Sequence, residues 1–141
     1  MKILLLGNLA VCAALVGLIW TVQVVVYPQF ARVGAADWAD YHAAHSALIT
    51  LVVGPLMLVE AALAALLVIA APAERRIEAL VSIGLVGFAW AWTALVSVPL
   101  HGKLDAGWNA SLIEALVSTN WARTIAWSAR LALLGGWVAR S

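Results

Sequence analysis

The stretch DYHAAHSALITLVVGPLMLVE, residues 40–60, decides what kind of fold this chain adopts. It begins with His42 and His45, continues through an apolar run broken by a Gly-Pro pair, and ends on a lone carboxylate, Glu60. Residues three or four apart share a helix face, so one stripe contains both histidines and the carboxylate. Such groups are costly to leave unpaired in lipid. The stretch therefore predicts a membrane helix whose polar face points toward other helices.

Composition is typical of a membrane protein. Of the 141 residues, 65% are hydrophobic and only 11% are charged, whereas about a quarter of the residues in soluble domains are charged. Each of four apolar segments approaches the roughly 20 residues that cross a bilayer as a helix. These segments span about 3–27, 42–71, 77–100 and 119–139. We therefore predict one all-α domain, residues 1–141, folded as an integral membrane four-helix bundle.

Charge and capping signals predict the arrangement of the loops. Basic residues are enriched on the cytoplasmic side of a membrane protein, and alternating spans would collect Lys2, Arg75, Arg76 and Arg140 on one side. This distribution predicts a multi-pass protein of the bacterial inner (cytoplasmic) membrane with both termini in the cytoplasm. Asn109 can cap a short helix, which we expect to lie in the outer interface between the third and fourth spans.

Polar and aromatic residues recur at spacings of three and four in the outer half of each predicted span. In a membrane bundle such stripes point inward, away from lipid. They predict a pocket that opens to the non-cytoplasmic face, to which three histidines and the hydroxyls of Thr93 and Ser97 contribute. The other residues expected to contact a bound molecule or cofactor are Trp20, Gln23, Tyr27, Trp90, Asn120, Arg123 and Trp127.

The three histidines suggest a metal site in this pocket. His42, His45 and His101 fall at the outer ends of their predicted helices and hence at one membrane depth. Imidazole binds iron, copper and zinc, and three such ligands leave a position open for water, oxygen or substrate. A haem held by two of them is a weaker alternative, because nothing else in the sequence indicates one. Nearby side chains could orient a ring nitrogen; they are Tyr41, Asp37, Asp40 and Gln23.

Two other interpretations of the pocket stay open. In one, the pocket is free of metal and binds an aromatic, quinone-like or lipid molecule, with tryptophans for stacking and polar groups as hydrogen-bond donors or proton carriers. In the other, the histidines bond to carbonyls in a structural or accessory subunit of a larger membrane complex. For a membrane oxidoreductase or oxygenase, the catalytic candidates are Arg123, Tyr41 and Glu60.

Two charged residues lie far from any span end. Counted at 1.5 Å per residue, Glu60 and Arg130 fall roughly 21 and 15 Å below the outer ends of their helices, a difference that an extended arginine covers. We predict that they pair inside the bundle, with Asn8 or Trp90 as further partners, because two isolated buried charges cost more than one bonded pair. In the alternative, Arg130 reaches up to the pocket and a protonated Glu60 bonds a backbone carbonyl near Pro55.

Three segments resemble signatures of a known group of proteins. They read YPQFARVGAADWADYHAAHSALITLVVGPLMLVE, VPLHGKLDAG and TNWARTIAWSAR. They are similar to segments of small bacterial four-helix membrane proteins and, more distantly, of the anthrone oxygenase-like membrane family. Trp121, Arg123 and Thr124 match the wider pattern, whereas His101 stands in place of an asparagine and the other two histidines are additions. The resemblance implies the fold and an oxygenase-type chemistry on a hydrophobic substrate.

The sequence also excludes several function classes. It contains no phosphate-binding glycine loop, no nucleophile elbow and no basic patch dense enough for nucleic acid. The single Cys12 excludes an internal disulfide and a cysteine-built zinc site. No inverted repeat is visible, which disfavours a transporter monomer. The expected partners are the lipid bilayer and a small hydrophobic ligand, with a homo-oligomer or a membrane complex left open.

Overall fold

The computed structural model describes residues 1–140, and within that range the chain is helical and contains no strand. The prediction of an all-α fold is thus confirmed. The α-helices are α1 Lys2–Thr21, α2 Tyr27–Val33, α3 Trp38–Ala70, α4 Arg76–Trp92, α5 Val98–Leu104 and α6 Ala110–Ala139. Two π-helical segments, Val22–Val26 and Thr93–Ser97, join α1 to α2 and α4 to α5 without a break.

Within the described chain, three helical stretches are long and apolar enough to cross a membrane: Lys2–Val33, Trp38–Ala70 and Ala73–Leu104. They agree with the first three predicted spans. Helix α6 has sufficient length, 30 residues, but its arginines lower its mean hydropathy. The outward-facing surface carries large apolar side chains such as Leu51, Ile69 and Leu95, each more than 70% exposed. An extensive apolar exterior of this kind is typical of a surface that contacts membrane.

The expected separate interfacial helix is instead the beginning of α6. Asn109 caps this helix as predicted, because its side chain accepts a hydrogen bond from the Leu112 amide at 3.0 Å. The helix then continues to Ala139 without the predicted interruption. Ser118 and Thr119 are of residue types that can cap a helix, but here both hydroxyls donate back to the Ala115 carbonyl of their own helix. A hydroxyl bonded in this way is compatible with the helix interior and does not end it.

The four long helical units of residues 1–140 pack as a bundle, in which α3 and α6 each contact both α1 and α4. Two core clusters fill it. One lies at the end where α2 and α5 meet the start of α3, which we call the histidine end, and contains Phe30, Trp38 and Leu116. The other lies at the opposite end, near Met1 and Arg140, and is built around Leu5, Leu67 and Leu134. This packing places the predicted polar stripes inside one compact bundle.

The two halves of the chain share one plan. The sequence LVGLIW, ending at Trp20, recurs as LVGFAW, ending at Trp90. In each half a π segment and a proline follow, then a second long helix. The halves also bond reciprocally at the histidine end. Trp38 Nε1 donates to the Leu104 carbonyl at 2.7 Å, and Trp108 Nε1 donates to the Phe30 carbonyl at 3.2 Å. The repeat was not predicted, because the two matching hexapeptides are short, and its halves run in the same direction.

A buried polar network confirms the predicted pairing of Glu60 with Arg130. Arg130 Nη1 donates to Glu60 Oε1 at 2.9 Å, and both side chains are fully enclosed. Arg130 Nη2 donates to Asn8, one of the predicted further partners, and Arg130 Nε donates to Ser82. The other carboxylate oxygen of Glu60 accepts from Trp127 Nε1 at 2.9 Å, so the tryptophan partner of the pair is Trp127 and not the predicted Trp90. The network therefore ties α1, α3, α4 and α6 together in the interior.

Candidate ligand-binding site

A cavity of about 340 Å³ lies inside the bundle toward the histidine end. Its walls are mostly apolar and come from all four long helical units, including both π segments and residues of α2 and α5. Leu15 and Ile19 form part of one wall, and Val53 and Met57 form part of another. Pockets of roughly 300–1,000 Å³ with apolar walls and a few convergent polar groups are the usual sites of small ligands.

The cavity opens sideways, between α3 and the helix formed by α4 and α5. Thr50 on one side and Trp90 and Val98 on the other line the cavity and are also exposed at the outside of the bundle. Beyond the opening, the bond from Trp38 to the Leu104 carbonyl joins α3 to α5 and closes the gap at the histidine end. A molecule would therefore reach the cavity through the apolar side of the bundle.

Polar groups converge on the cavity from its deeper side. Tyr27, Thr93, His101 and Arg123 all line it. Arg123 Nη1 donates to Thr93 Oγ1 at 3.0 Å, and Nη2 lies 3.5 Å from the Tyr27 hydroxyl. The guanidinium carbon also stands 5.8 Å from the ring centre of Trp127, which adds a cation–π contact. The site thus combines an apolar volume with one polar end.

A row of hydrogen bonds connects this polar end to the outside. Asp105 Oδ1 lies 2.9 Å from His42 Nδ1, His42 Nε2 lies 3.0 Å from His101 Nδ1, and His101 Nε2 lies 3.1 Å from the Tyr27 hydroxyl. An ionised carboxylate can only accept a hydrogen bond, so His42 Nδ1 is the donor to Asp105. If both rings are neutral, each has one donor and one acceptor nitrogen, so His101 Nδ1 donates to His42 Nε2. The Tyr27 hydroxyl then donates to His101, and its oxygen is left to accept from Arg123.

His45 lies beside this row but outside it. Its ring stacks on that of His101, with ring centres 5.9 Å apart, and stands edge-on to Phe30. Its Nε2 is buried and has no hydrogen-bond partner within residues 1–140. Buried polar atoms are nearly always satisfied, so this nitrogen is a point at which a bound molecule or ion could add a contact.

The three predicted metal ligands are neighbours, as their positions indicated. In the part of the chain that the structure describes, however, no group of three or more His, Cys, Asp or Glu side chains is placed to hold a metal ion. His42 Nε2 and His101 Nδ1 are instead hydrogen-bonded to one another at 3.0 Å. A metal at this place would have to replace that hydrogen bond, and the metal site stays a prediction.

Two residues predicted to contact a ligand lie behind the cavity and hold Arg123. Asn120 Oδ1 accepts from Nε and Nη2 of Arg123 at 3.0 and 2.6 Å. Asn120 in turn donates to Gln23 Oε1 at 2.8 Å, and Gln23 donates to the Val117 carbonyl at 3.0 Å. Thr124 also donates to Gln23 at 3.3 Å. These bonds fix the orientation of the guanidinium, so Gln23 and Asn120 are positioning residues and not cavity walls.

Three other predicted residues lie away from the cavity. Trp20 is 42% exposed, packs against Trp121 and donates to Ser128 on the outside of the bundle. Tyr41 is 37% exposed and stands edge-on to Phe30. Glu60 belongs to the separate network with Arg130. Tyr27, Trp90, Arg123 and Trp127 do line the cavity, together with His101.

Sequence reasoning missed Asp105 as the partner of His42. The residues expected to orient a ring nitrogen were Tyr41, Asp37, Asp40 and Gln23. Asp105 follows His101 by one helical turn at the end of α5, and this spacing is a signal that could have identified it. The apolar walls were also missed, because a leucine or valine that lines a cavity is indistinguishable in sequence from one that packs in the core.

The arrangement can hold a molecule with an apolar body and hydrogen-bond its polar end. The comparisons with known proteins add no relative from which a function could be transferred, and the resemblance to the anthrone oxygenase-like family stays a prediction. No protein-family model matches the chain, and neither a curated protein nor a solved structure is detectably similar to it.

Proposed function

We propose that the chain is a four-span protein of the bacterial inner membrane, with α6 as the fourth span. The observation in support is the distribution of residues on α6. Arg123 and Arg130 are buried inside the bundle, whereas Trp121 and Ile125 face outward. Glu114, close to the beginning of α6, is exposed, but both charged side chains of its remaining length are enclosed. That part of the helix can present an apolar surface to lipid despite a modest mean hydropathy. The position of Arg75 and Arg140 at the end opposite the histidines, where both bond to Glu78, supports cytoplasmic termini.

We infer that its function is to bind a small hydrophobic molecule, aromatic or quinone-like, in the cavity between α3 and α4. The observation that carries this proposal is the combination of an apolar cavity of about 340 Å³ with a preformed polar end at Arg123, His101 and Tyr27. The side opening between α3 and α4 suits a ligand that is dissolved in the bilayer. Trp90 and Trp127 offer aromatic faces for stacking.

The test is binding of an alkyl-substituted benzoquinone to purified protein in detergent. We expect it to raise the unfolding temperature, because a ligand that binds only the folded state stabilises that state. Adjacent valines provide a matched pair of variants. Val53 lines the cavity, whereas Val52 is 50% exposed on the outside. Val53→Phe fills the cavity and should weaken binding about tenfold or more, equivalent to about 1.4 kcal/mol, and Val52→Phe should not.

Two outcomes would overturn this proposal. The protein could show no response to any hydrophobic aromatic or quinone-like probe. Alternatively, Val53→Phe and Val52→Phe could bind the probe equally, which would place the binding on the exterior and not in the cavity.

The second candidate is a metal centre at the histidine end that supports an oxidoreductase or oxygenase. The unpaired Nε2 of His45, next to the His42–His101 pair, favours it. Iron, copper or zinc would suit imidazole donors, and Asp105 would orient His42 from behind. Elemental analysis of protein purified without chelators tests this candidate. A stoichiometric metal that is lost in His45→Ala supports it, and a metal-free protein with intact quinone binding excludes it.

A further inference from the structure

Arg123 is a buried cation without a carboxylate partner among residues 1–140. Its side chain is enclosed, with 6% of the residue exposed. Its hydrogen bonds go to the neutral oxygens of Asn120, Thr93 and Tyr27, and none of the ion pairs of the described chain includes it. A charge taken out of water is stable when an opposite charge compensates it, and neutral acceptors do so only in part.

Arg130, two helical turns further along α6, is a buried arginine of the same protein whose charge is compensated by a carboxylate. It is fully buried and forms an ion pair with Glu60, and its remaining nitrogens donate to Ser82 and Asn8. The difference between the two arginines is that Arg130 is enclosed by protein groups, whereas Arg123 lines the cavity. Where Arg130 has the carboxylate of Glu60, Arg123 therefore has the open space of the cavity.

The hydrogen bonds of Arg123 leave one of its N–H groups without an assigned acceptor among residues 1–140. Arg Nη1 carries two N–H groups, and the structure assigns one of them to Thr93. Thr93 donates its own proton to the Ala89 carbonyl, and the Tyr27 hydroxyl is engaged with His101. The face of Trp127 stabilises the cation but does not neutralise it. The polar end of the cavity thus presents a positive charge and an N–H group.

We propose that the ligand of this cavity is an amphipathic anion, with an apolar body in the cavity and a carboxylate paired with Arg123. This inference rests on the proposed binding function and adds to it the charge of the ligand. A guanidinium recognises a carboxylate through charge and geometry together. The side opening admits the apolar body from the bilayer, while Asn120 and Gln23 hold the guanidinium in place for the anionic end.

The test compares two probes with the same body, 2-naphthoate and 2-naphthalenemethanol, on purified protein in detergent at neutral pH. We expect 2-naphthoate to bind at least tenfold more tightly, as measured by titration calorimetry. Tighter binding of the alcohol, or equal binding, overturns the anion inference and leaves the cavity as a site for neutral molecules. If neither probe binds but the alkyl-substituted benzoquinone does, the anion inference fails alone. If the benzoquinone does not bind either, the proposed binding function fails as well, so the two failures are distinguishable.

Variants of Arg123 test which charge is responsible. Arg123→Gln should remove the preference for 2-naphthoate over the alcohol, whereas Arg123→Lys should keep part of that preference. Lys103→Gln, an exposed cation on α5, is the control and should keep all of it. A preference that persists in Arg123→Gln overturns the assignment. Should Arg123→Gln fail to fold, the comparison of the two probes on the unmodified protein still decides the inference.

Discussion

At the scale of single residues, Arg123 and Arg130 show how surroundings decide the role of a side chain. Both lie on α6 and both are buried. Arg130 is neutralised by Glu60, bonds partners from α1, α3 and α4, and holds the bundle together. Arg123 is held from behind by neutral groups and faces the cavity. We therefore expect substitutions of Arg130 to affect stability and substitutions of Arg123 to affect binding.

The ion pair gives the first stability prediction. Glu60→Gln and Arg130→Gln should each destabilise the protein by about 3–5 kcal/mol, because each leaves an uncompensated buried charge. The double variant should lose clearly less than the sum of the two, since it leaves no charge behind. Thermal unfolding in detergent measures all three. Strictly additive losses would contradict the direct contact.

A matched control comes from the ion pair of Arg75 with Glu78, which also joins an arginine to a glutamate. That pair is partly exposed, so Arg75→Gln and Glu78→Gln should each change stability far less than the buried substitutions. A loss as large as that of Glu60→Gln would show that the assay does not report burial.

The pairing of Glu60 with Arg130 could be predicted because lipid leaves few alternatives to a buried charge. The exposure of Trp20 could not be predicted. Its spacing of three to Gln23 suggests a shared helix face, but the buried stripe of α1 passes through Leu15 and Ile19 and continues at Val22. Trp20 therefore lies one residue off this stripe and is exposed. Neighbouring apolar residues such as Ile19 and Trp20 are equally compatible with a buried face in sequence, and the packing of the other helices decides between them.

At the scale of elements, the two π segments set which side chains face the site. Thr93–Ser97 shifts the face of the following helix and brings His101 to His42. The same turn brings the Leu104 carbonyl to Trp38, whose bond closes the gap beyond the opening of the cavity. Because π turns contain one extra residue relative to an α-helix, removal of one residue should restore an ordinary helix and rotate everything beyond it.

Deletion of Leu95 tests this role. Leu95 is 75% exposed, so its side chain makes little contribution. One residue corresponds to about 100° of rotation in an α-helix, which would separate His101 from His42 and Leu104 from Trp38. Each lost hydrogen bond costs about 0.5–1.5 kcal/mol, so we expect a destabilisation of about 1–3 kcal/mol in thermal unfolding. Leu95→Ala is the control and should be nearly neutral. A deletion variant as stable as Leu95→Ala would argue against the role of the π segment.

At the scale of the whole molecule, the proposed orientation can be tested by labelling. In a Cys12→Ala background, Ala36→Cys and Ala106→Cys place a thiol in the two loops at the histidine end, and Ala73→Cys places one at the opposite end. A maleimide that cannot cross membranes should label the first two in intact spheroplasts and the third only after permeabilisation. The reverse pattern would show that the termini face outward.

The side opening of the cavity has a consequence for how selectivity arises in a bilayer. An unoccupied cavity that opens toward lipid can be filled by acyl chains, which are as apolar as its walls. A ligand then exchanges one hydrocarbon environment for another, so its apolar body gains little free energy on leaving the membrane. Lengthening the alkyl tail of a ligand by one methylene should make its transfer from water into the membrane more favourable by about 0.8 kcal/mol. Its transfer from the membrane into the cavity should hardly change, so the dissociation constant, expressed as the mole fraction of ligand in lipid, should stay almost the same. Equilibrium binding to protein in vesicles, measured over a series of tail lengths, checks this expectation. Discrimination among molecules dissolved in the membrane then depends on the polar end and on the aromatic faces of Trp90 and Trp127, and the aliphatic walls only limit the shape of the ligand that fits.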